Sequence, residues 1–306
     1  MKTLTLKNIV KIAAASICIS AISGQAASAG VIRGGWNYAI DSFADGVQSG
    51  YTVGADSGYE FYGMAVKEVD DKVFIGINSN LALDGRYSGG AADNNIGYGD
   101  LFFNFSGDNL NTANENGNLI GIRFADTNDS GVTETGVFSN VVGQNVAGQN
   151  SGFRHLKRHN DRVNSVSDNY ASMADLAPTD EYFQDYYEQS WSVPNSIASG
   201  TKIGDIAMLD ETALSGLGLD FGHFNATGTY TFGFSFDRAL LPGSDYIAHL
   251  FAECINDGMA IAGNLSTQAL SDNSASVPEP ASLMGLAAVG LIGASGKLRK
   301  RKQADS

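Results

Sequence analysis

Thr229-Tyr230-Thr231-Phe232-Gly233-Phe234-Ser235-Phe236-Asp237 alternates without a break. Tyr230, Phe232, Phe234 and Phe236 share one side of an extended chain, and Thr229, Thr231, Gly233, Ser235 and Asp237 share the other. Period two with aromatics on one side predicts a half-buried strand whose aromatic face meets a core. Outward from this stretch the same grammar recurs. Glu60-Phe61-Tyr62-Gly63-Met64-Ala65-Val66 and Lys72-Val73-Phe74-Ile75-Gly76-Ile77-Asn78 flank a Val69-Asp70-Asp71 turn and read as a hairpin. Leu101-Phe102-Phe103-Asn104-Phe105, Leu119-Ile120-Gly121-Ile122-Arg123-Phe124 and residues 135–142 are further strands. Residues 246–254 fit strand or helix by pattern, but the Asn256-Asp257-Gly258 turn and the apolar residues after it favour a hairpin.

Two stretches break the β pattern. Residues 154–176 are polar, charged and free of glycine, with a helical tendency that ends before Pro178. Thr179-Asp180-Glu181 reads as a helix start, and Tyr182-Phe183 with Tyr186-Tyr187 would share a helix face. Many short strands with Gly and Asn turns, and no regular helices between them, predict an all-β, jelly-roll-like β-sandwich carrying helical insertions.

The termini differ from this body. Lys2, Lys7 and Lys11 precede a short apolar run at residues 12–22, and Ala27-Ser28-Ala29 follows. Small residues at Ala27 and Ala29 fit signal-peptidase cleavage before Gly30, so residues 1–29 read as a signal peptide. Residues 265–276 read as a Ser/Asn/Ala-rich linker. At the other end Val277, Pro278, Glu279 and Pro280 precede an uncharged run at 281–296, followed by Lys297, Arg299, Lys300, Arg301 and Lys302. As a helix that run spans about 24 Å, a little short of a ~30 Å hydrocarbon core. The basic cluster at 297–302 would hold its end in the cytoplasm. The prolines keep residues 277–280 extended outside the membrane, where a membrane-embedded protease could grip them.

Val277-Pro278-Glu279-Pro280-Ala281-Ser282-Leu283, the apolar run and the Lys/Arg tail together resemble the PEP-CTERM sorting signal over residues 277–302. The resemblance implies a bacterial exported protein, processed by an exosortase (a membrane protease-transpeptidase) and delivered to the cell surface or extracellular matrix. Residues 30–264 would form the ectodomain. Its Trp36-Asn37-Tyr38-Ala39-Ile40-Asp41-Ser42-Phe43, its Gly99-Asp100-Leu101-Phe102-Phe103 and its Cys254-Ile255-Asn256-Asp257 resemble exosortase-dependent surface proteins. Gly-Asp-Leu-Phe-Phe is also similar to segments of carbohydrate-binding β-sandwiches.

Composition narrows the functional classes. Residues 30–277 hold 11 Lys+Arg against 31 Asp+Glu, a net charge of −20. Such a surface repels nucleic acid and attracts cations. Cys18 lies in the signal peptide, which leaves Cys254 without an intramolecular partner; its apolar neighbours predict a buried, inert thiol.

One loop is a calcium candidate. Asp126, Asn128 and Ser130 stand at positions 1, 3 and 5 with Gly131 at 6, as in the first half of a calcium loop. Position 12 is Val137, and Glu134 falls at 9, so the ligand set is incomplete; an ordinary Asp/Asn/Gly turn is the alternative. His155 and His159 have zinc-ligand spacing, but Arg154, Lys157 and Arg158 beside them repel a cation, so exposed histidines are expected. Arg154, Lys157, Arg158 and Arg162 form a basic patch, either a solvated helix face or a dock for an anionic polysaccharide or another copy's acidic face. Trp36, Trp191, Tyr182, Tyr186 and Tyr187 offer a sugar platform, or simply core packing. Nucleophile elbows, phosphate loops and Cys/His sets are missing from the sequence. The expectation is a structural or adhesive surface protein without catalysis or cofactor. The first alternative is a carbohydrate-binding module with calcium in the 126–134 loop; the second is a hydrolase with converging carboxylates.

Overall fold

The computed structural model describes residues 30–48, 52–166, 171–187 and 192–265. The signal peptide, Trp191, the sorting tail and all of the linker except Leu265 lie outside the described residues. In chain order the first strands are β1 (Val31–Arg33), β2 (Trp36–Ile40), β3 (Val47–Gln48), β4 (Thr52–Val53), β5 (Phe61–Val69), β6 (Lys72–Ser79), β7 (Arg86–Tyr87) and β8 (Asn95–Ile96). They are followed by β9 (Leu101–Asn104), β10 (Leu119–Arg123), β11 (Gly136–Gln144), β12 (Ser196–Gly204), β13 (Ala207–Asp210), β14 (Tyr230–Asp237), β15 (Asp245–Phe251) and β16 (Gly258–Asn264). The α-helices are α1 (Leu110–Glu115), α2 (Leu156–Val166), α3 (Gln184–Tyr187) and α4 (Glu211–Gly216).

Two six-stranded sheets, ordered β1-β2-β5-β6-β14-β13 and β12-β11-β10-β9-β15-β16, face each other across a shared core. Their described pairings are antiparallel. The β-sandwich is therefore present, but the order departs from the interleaved Greek keys of a jelly roll. Sequential strands mostly lie side by side, and the pairings β14–β6 and β15–β9 splice the C-terminal hairpins into the middle of each sheet. Local turns favour such hairpins. Asp70 takes a left-handed φ of 53° in the two-residue β5–β6 turn, a conformation Asp tolerates.

Strand β14 shows how sequence becomes core. Phe232, Phe234 and Phe236 stand opposite Ile77, Ile75 and Val73 of β6, and all six are buried. Across the sandwich Phe234 stacks on Phe124 at 5.2 Å. Tyr230 shares their side but begins the strand and stays 43% exposed. The opposite face of β14 is also covered, contrary to the half-buried expectation. Leu214, Leu219, Phe221 and Ala226, from α4 and the segment after it, pack on the outer side of this sheet with Trp36 and Tyr38. Gly76 makes room for that cover: a Cβ there would meet Leu219 Cδ2 at 2.7 Å.

The second sheet is covered in the same way. Asp180 accepts a hydrogen bond from the Tyr182 N–H and starts a short 3₁₀ turn (Glu181–Phe183) that runs into α3. Tyr182, Phe183 and Tyr186 then pack with Phe102, Phe251, Leu110 and Leu156 on the sheet's outer face. Of the helical stretch expected over 154–176, only α2 (Leu156–Val166) is helical among the described residues; residues 171–176 run without helix, with Ala174 bridged to Ala260 of β16. α2 and the 181–187 insertion act as a lid over a hydrophobic face.

Candidate functional site

The most unusual chemistry lies at one end of the sandwich. Asp41 follows β2, Asp45 sits in the next loop, Glu60 precedes β5, and Asp257 lies in the β15–β16 turn. Their exposures are 5%, 0%, 0% and 1%. One carboxylate oxygen from each of Asp41, Asp45 and Asp257 lies within 4.8 Å of the other two. Backbone amides fix the side chains. Asp41 Oδ1 accepts from the N–H groups of Ser42 and Ala174, both at 2.9 Å. Asp45 Oδ2 accepts from Ser172 N at 2.5 Å, and Glu60 Oε2 from Gly46 N at 2.7 Å. Asp257 Oδ2 accepts from Phe61 N at 2.7 Å, which bridges the two sheets. Three oxygens remain buried with no hydrogen-bond partner: Asp41 Oδ2, Asp45 Oδ1 and Glu60 Oε1.

Burial pushes these carboxyls upward, Asp41 to about 7 and Glu60 to about 8. Asp45 and Asp257 are raised well above the usual carboxylate range, first by burial and then by the neighbouring acids. Asp175 alongside is raised to about 7, chiefly by burial. The described ion pairs involve none of the four. His159 closes one side, its Nε2 3.0 Å from both the Asp45 and the Asn256 carbonyl oxygens. Burial lowers its pKa to about 4, so the ring brings no charge at neutral pH.

A second set of buried acids contrasts with the first. Asp100, fully buried, accepts from Asn128 Nδ2 (2.9 Å), Ser130 Oγ (2.8 Å), Ser196 Oγ (3.2 Å) and Ile197 N (2.6 Å). Glu253 accepts from the backbone amides of Gly97 and Asp129. Every oxygen of this pair is satisfied, as expected of a structural buried acid. Together they pin the 126–134 loop. Within it the Arg123 guanidinium donates to Asn128 Oδ1 (2.9 Å), Thr133 O (2.6 Å) and Asp126 O (2.7 Å). The side chains predicted as calcium ligands go to separate partners. Asn128 meets Arg123 and Asp100, Ser130 meets Asp100, and Glu134 pairs with Lys202 at 2.8 Å on the surface. Asp126 is exposed, and the centre of the loop belongs to a guanidinium.

The basic patch lies on and just before α2. Arg154 and Arg158 are exposed, while Lys157 and Arg162 are partly so. Lys157 pairs with Asp161 at 2.9 Å. His159 departs from the exposed expectation, because Leu156, His159 and Val163 form the helix's buried stripe. Among the proposed sugar-platform residues, Trp36, Tyr182 and Tyr186 are buried in the layers described above. Cys254 is fully buried, and burial pushes its thiol up to about 12, in keeping with the inert reading. The 360 Å³ cleft lined by Asn78, Glu211, Asp220 and Phe221 lies on the outer side of the first sheet, away from the buried acids. Among the described residues, no helix is long and apolar enough to cross a membrane.

Sequence reasoning missed the acid cluster and Arg123. A weak signal existed for each: Glu60 stands between Tyr59 and Phe61, and Arg123 between Ile122 and Phe124, charges inside otherwise apolar runs. No curated protein and no solved structure matches the chain. The C-terminal region, residues 276–302, matches the PEP-CTERM protein-sorting motif, so the chain carries the sorting signal of exosortase substrates.

Proposed function

We propose that this chain is a non-catalytic surface or extracellular-matrix protein with a structural or adhesive role. Signal peptidase releases it before Gly30, and an exosortase processes it at Val277, Pro278, Glu279 and Pro280. The observation that carries this reading is the sorting motif at residues 276–302. Residues 281–296 hold the protein in the inner membrane until processing, with Lys297, Arg299, Lys300, Arg301 and Lys302 on the cytoplasmic side. The net charge of −20 over residues 30–277 supports an outward-facing, soluble body. The burial of Trp36, Tyr182 and Tyr186 weighs against a sugar-stacking platform. Binding to matrix then falls to surface charge, with Arg154, Lys157, Arg158 and Arg162 as the anion-facing patch toward polysaccharide.

Fractionation of the native host, with and without its exosortase, tests this. The protein should move from the surface or extracellular fraction to the inner membrane when the exosortase is deleted. An unchanged distribution in the two strains would overturn the sorting reading.

A further inference from the structure

We propose that Asp41, Asp45 and Asp257, with the Glu60 carboxylate beside them, form a calcium site that ties the two sheets together at the end of the sandwich. The geometry fits one ion. Oxygens about 2.4 Å from a common calcium lie at most about 4.8 Å apart, and the Asp41, Asp45 and Asp257 oxygens meet that limit. The independent observation is the set of bare oxygens. Asp41 Oδ2, Asp45 Oδ1 and Glu60 Oε1 are buried without a hydrogen-bond donor. Elsewhere in the same protein a buried carboxylate is satisfied: Asp100 accepts from four donors. In the cluster, Asp41, Asp45 and Glu60 each use one oxygen on backbone amides and leave the other bare, whereas Asp257 accepts from the amides of Phe61 through Oδ2 and Gly258 through Oδ1.

The ligand chemistry selects the ion. The cluster offers carboxylate oxygens, and the Ser172 and Ser42 hydroxyls hydrogen-bond the Asp41 and Asp45 carboxylates. A hard, oxygen-seeking cation fits such a set, and thiolate- or imidazole-preferring metals do not. The His159 Nε2 is committed to two carbonyl oxygens and is not offered as a ligand. Calcium tolerates irregular shells of six to eight oxygens, whereas magnesium demands a near-octahedral one. A cavity of about 10 Å³ bordered by His159, Ser172 and Asp257 has the scale of one water, a candidate further ligand.

The placement gives the ion a role. Asp41 and Glu60 border β2 and β5 of one sheet, and Asp257 joins β15 to β16 of the other. Ser172 and Ala174, in the non-helical segment that follows α2, join the cluster through their amides to Asp45 and Asp41. One ion thus joins both sheets and the segment that connects the two parts of the lid. This site does not depend on the sorting reading.

The test uses the full chain in detergent at pH 7.5, stripped with EDTA and titrated with calcium by calorimetry and by thermal unfolding. One calcium per chain should bind with micromolar-to-millimolar affinity, the range of calcium sensors and extracellular modules. Saturation 100-fold above Kd should raise Tm by roughly 5–10 °C, and magnesium should give less than half of that shift. Asp45→Asn should weaken calcium tenfold or more. The double variant Asp126→Asn, Glu134→Gln should bind as the parent does. If saturating calcium leaves Tm unchanged, or if the double variant abolishes binding while Asp45→Asn does not, the proposal is overturned.

Discussion

Replacing Arg123 with methionine probes what organises the 126–134 loop. Arg123 is 5% exposed and donates three hydrogen bonds of 2.6–2.9 Å, to Asn128 Oδ1, Thr133 O and Asp126 O. A fourth, to Asn128 O, is marginal at 3.5 Å. Hydrogen bonds from a charged donor contribute about 1.5–3 kcal/mol each, but the acceptors of one loop are not independent. Methionine fills much of the volume and supplies no donor, which strands oxygens that Arg123 had satisfied. The summed loss, discounted because the loop can relax toward water, is about 3–5 kcal/mol. That is a large share of the ~5–15 kcal/mol that holds a typical domain together. Urea denaturation of parent and variant, with calcium held constant, measures the difference. A loss below about 1 kcal/mol would refute the guanidinium as the loop's organiser.

Further outcomes follow from single features. Phe234→Ala empties a fully buried site stacked on Phe124 and should cost about 3–5 kcal/mol in the same assay; a cost under about 1 kcal/mol would contradict the shared core. Cys254 should resist a thiol reagent at pH 8 in the native protein and react at least about 1000-fold faster once unfolded, because burial and a raised pKa both suppress the thiolate; comparable rates would contradict its burial. Burial raises Glu253 from 4.5 to about 8. The folded state therefore holds this proton more tightly than the unfolded state does. Stability associated with Glu253 is complete below about pH 4.5 and declines as pH rises through about 8, by at most about 5 kcal/mol. Urea titrations from pH 5 to 9 should show a shallower decline in Glu253→Gln than in the parent, and identical slopes would refute the assignment.

Local patterns were the readable part of the chain. The alternation in β14, the Asp70 turn and the Asp180 cap each determine backbone over a few residues, and each appears where its residues indicate. Strand partnership was not readable, because β14 beside β6 and β15 beside β9 join segments about 150 residues apart, a separation that no local period encodes. The covering layers escaped for a related reason: Gly76 and Gly233 look like gaps in a strand, and only Leu219 lying over Gly76 explains the first. The burial of His159 is hidden in the sequence by its charged neighbours, although its i−3 and i+4 spacing to Leu156 and Val163 places it on the helix's apolar stripe. The carboxylate cluster is assembled from positions 41, 45, 60 and 257. In a chain this acidic, pairs such as Asp41 and Asp45 carry little information until folding removes their water.

The most direct test of the central claim is the intact mass of the protein recovered from the host's surface or extracellular fraction. The expected species begins near Gly30 and ends near Pro278, without the basic tail. A surface form that retains residues 281–302 would contradict processing at the sorting motif.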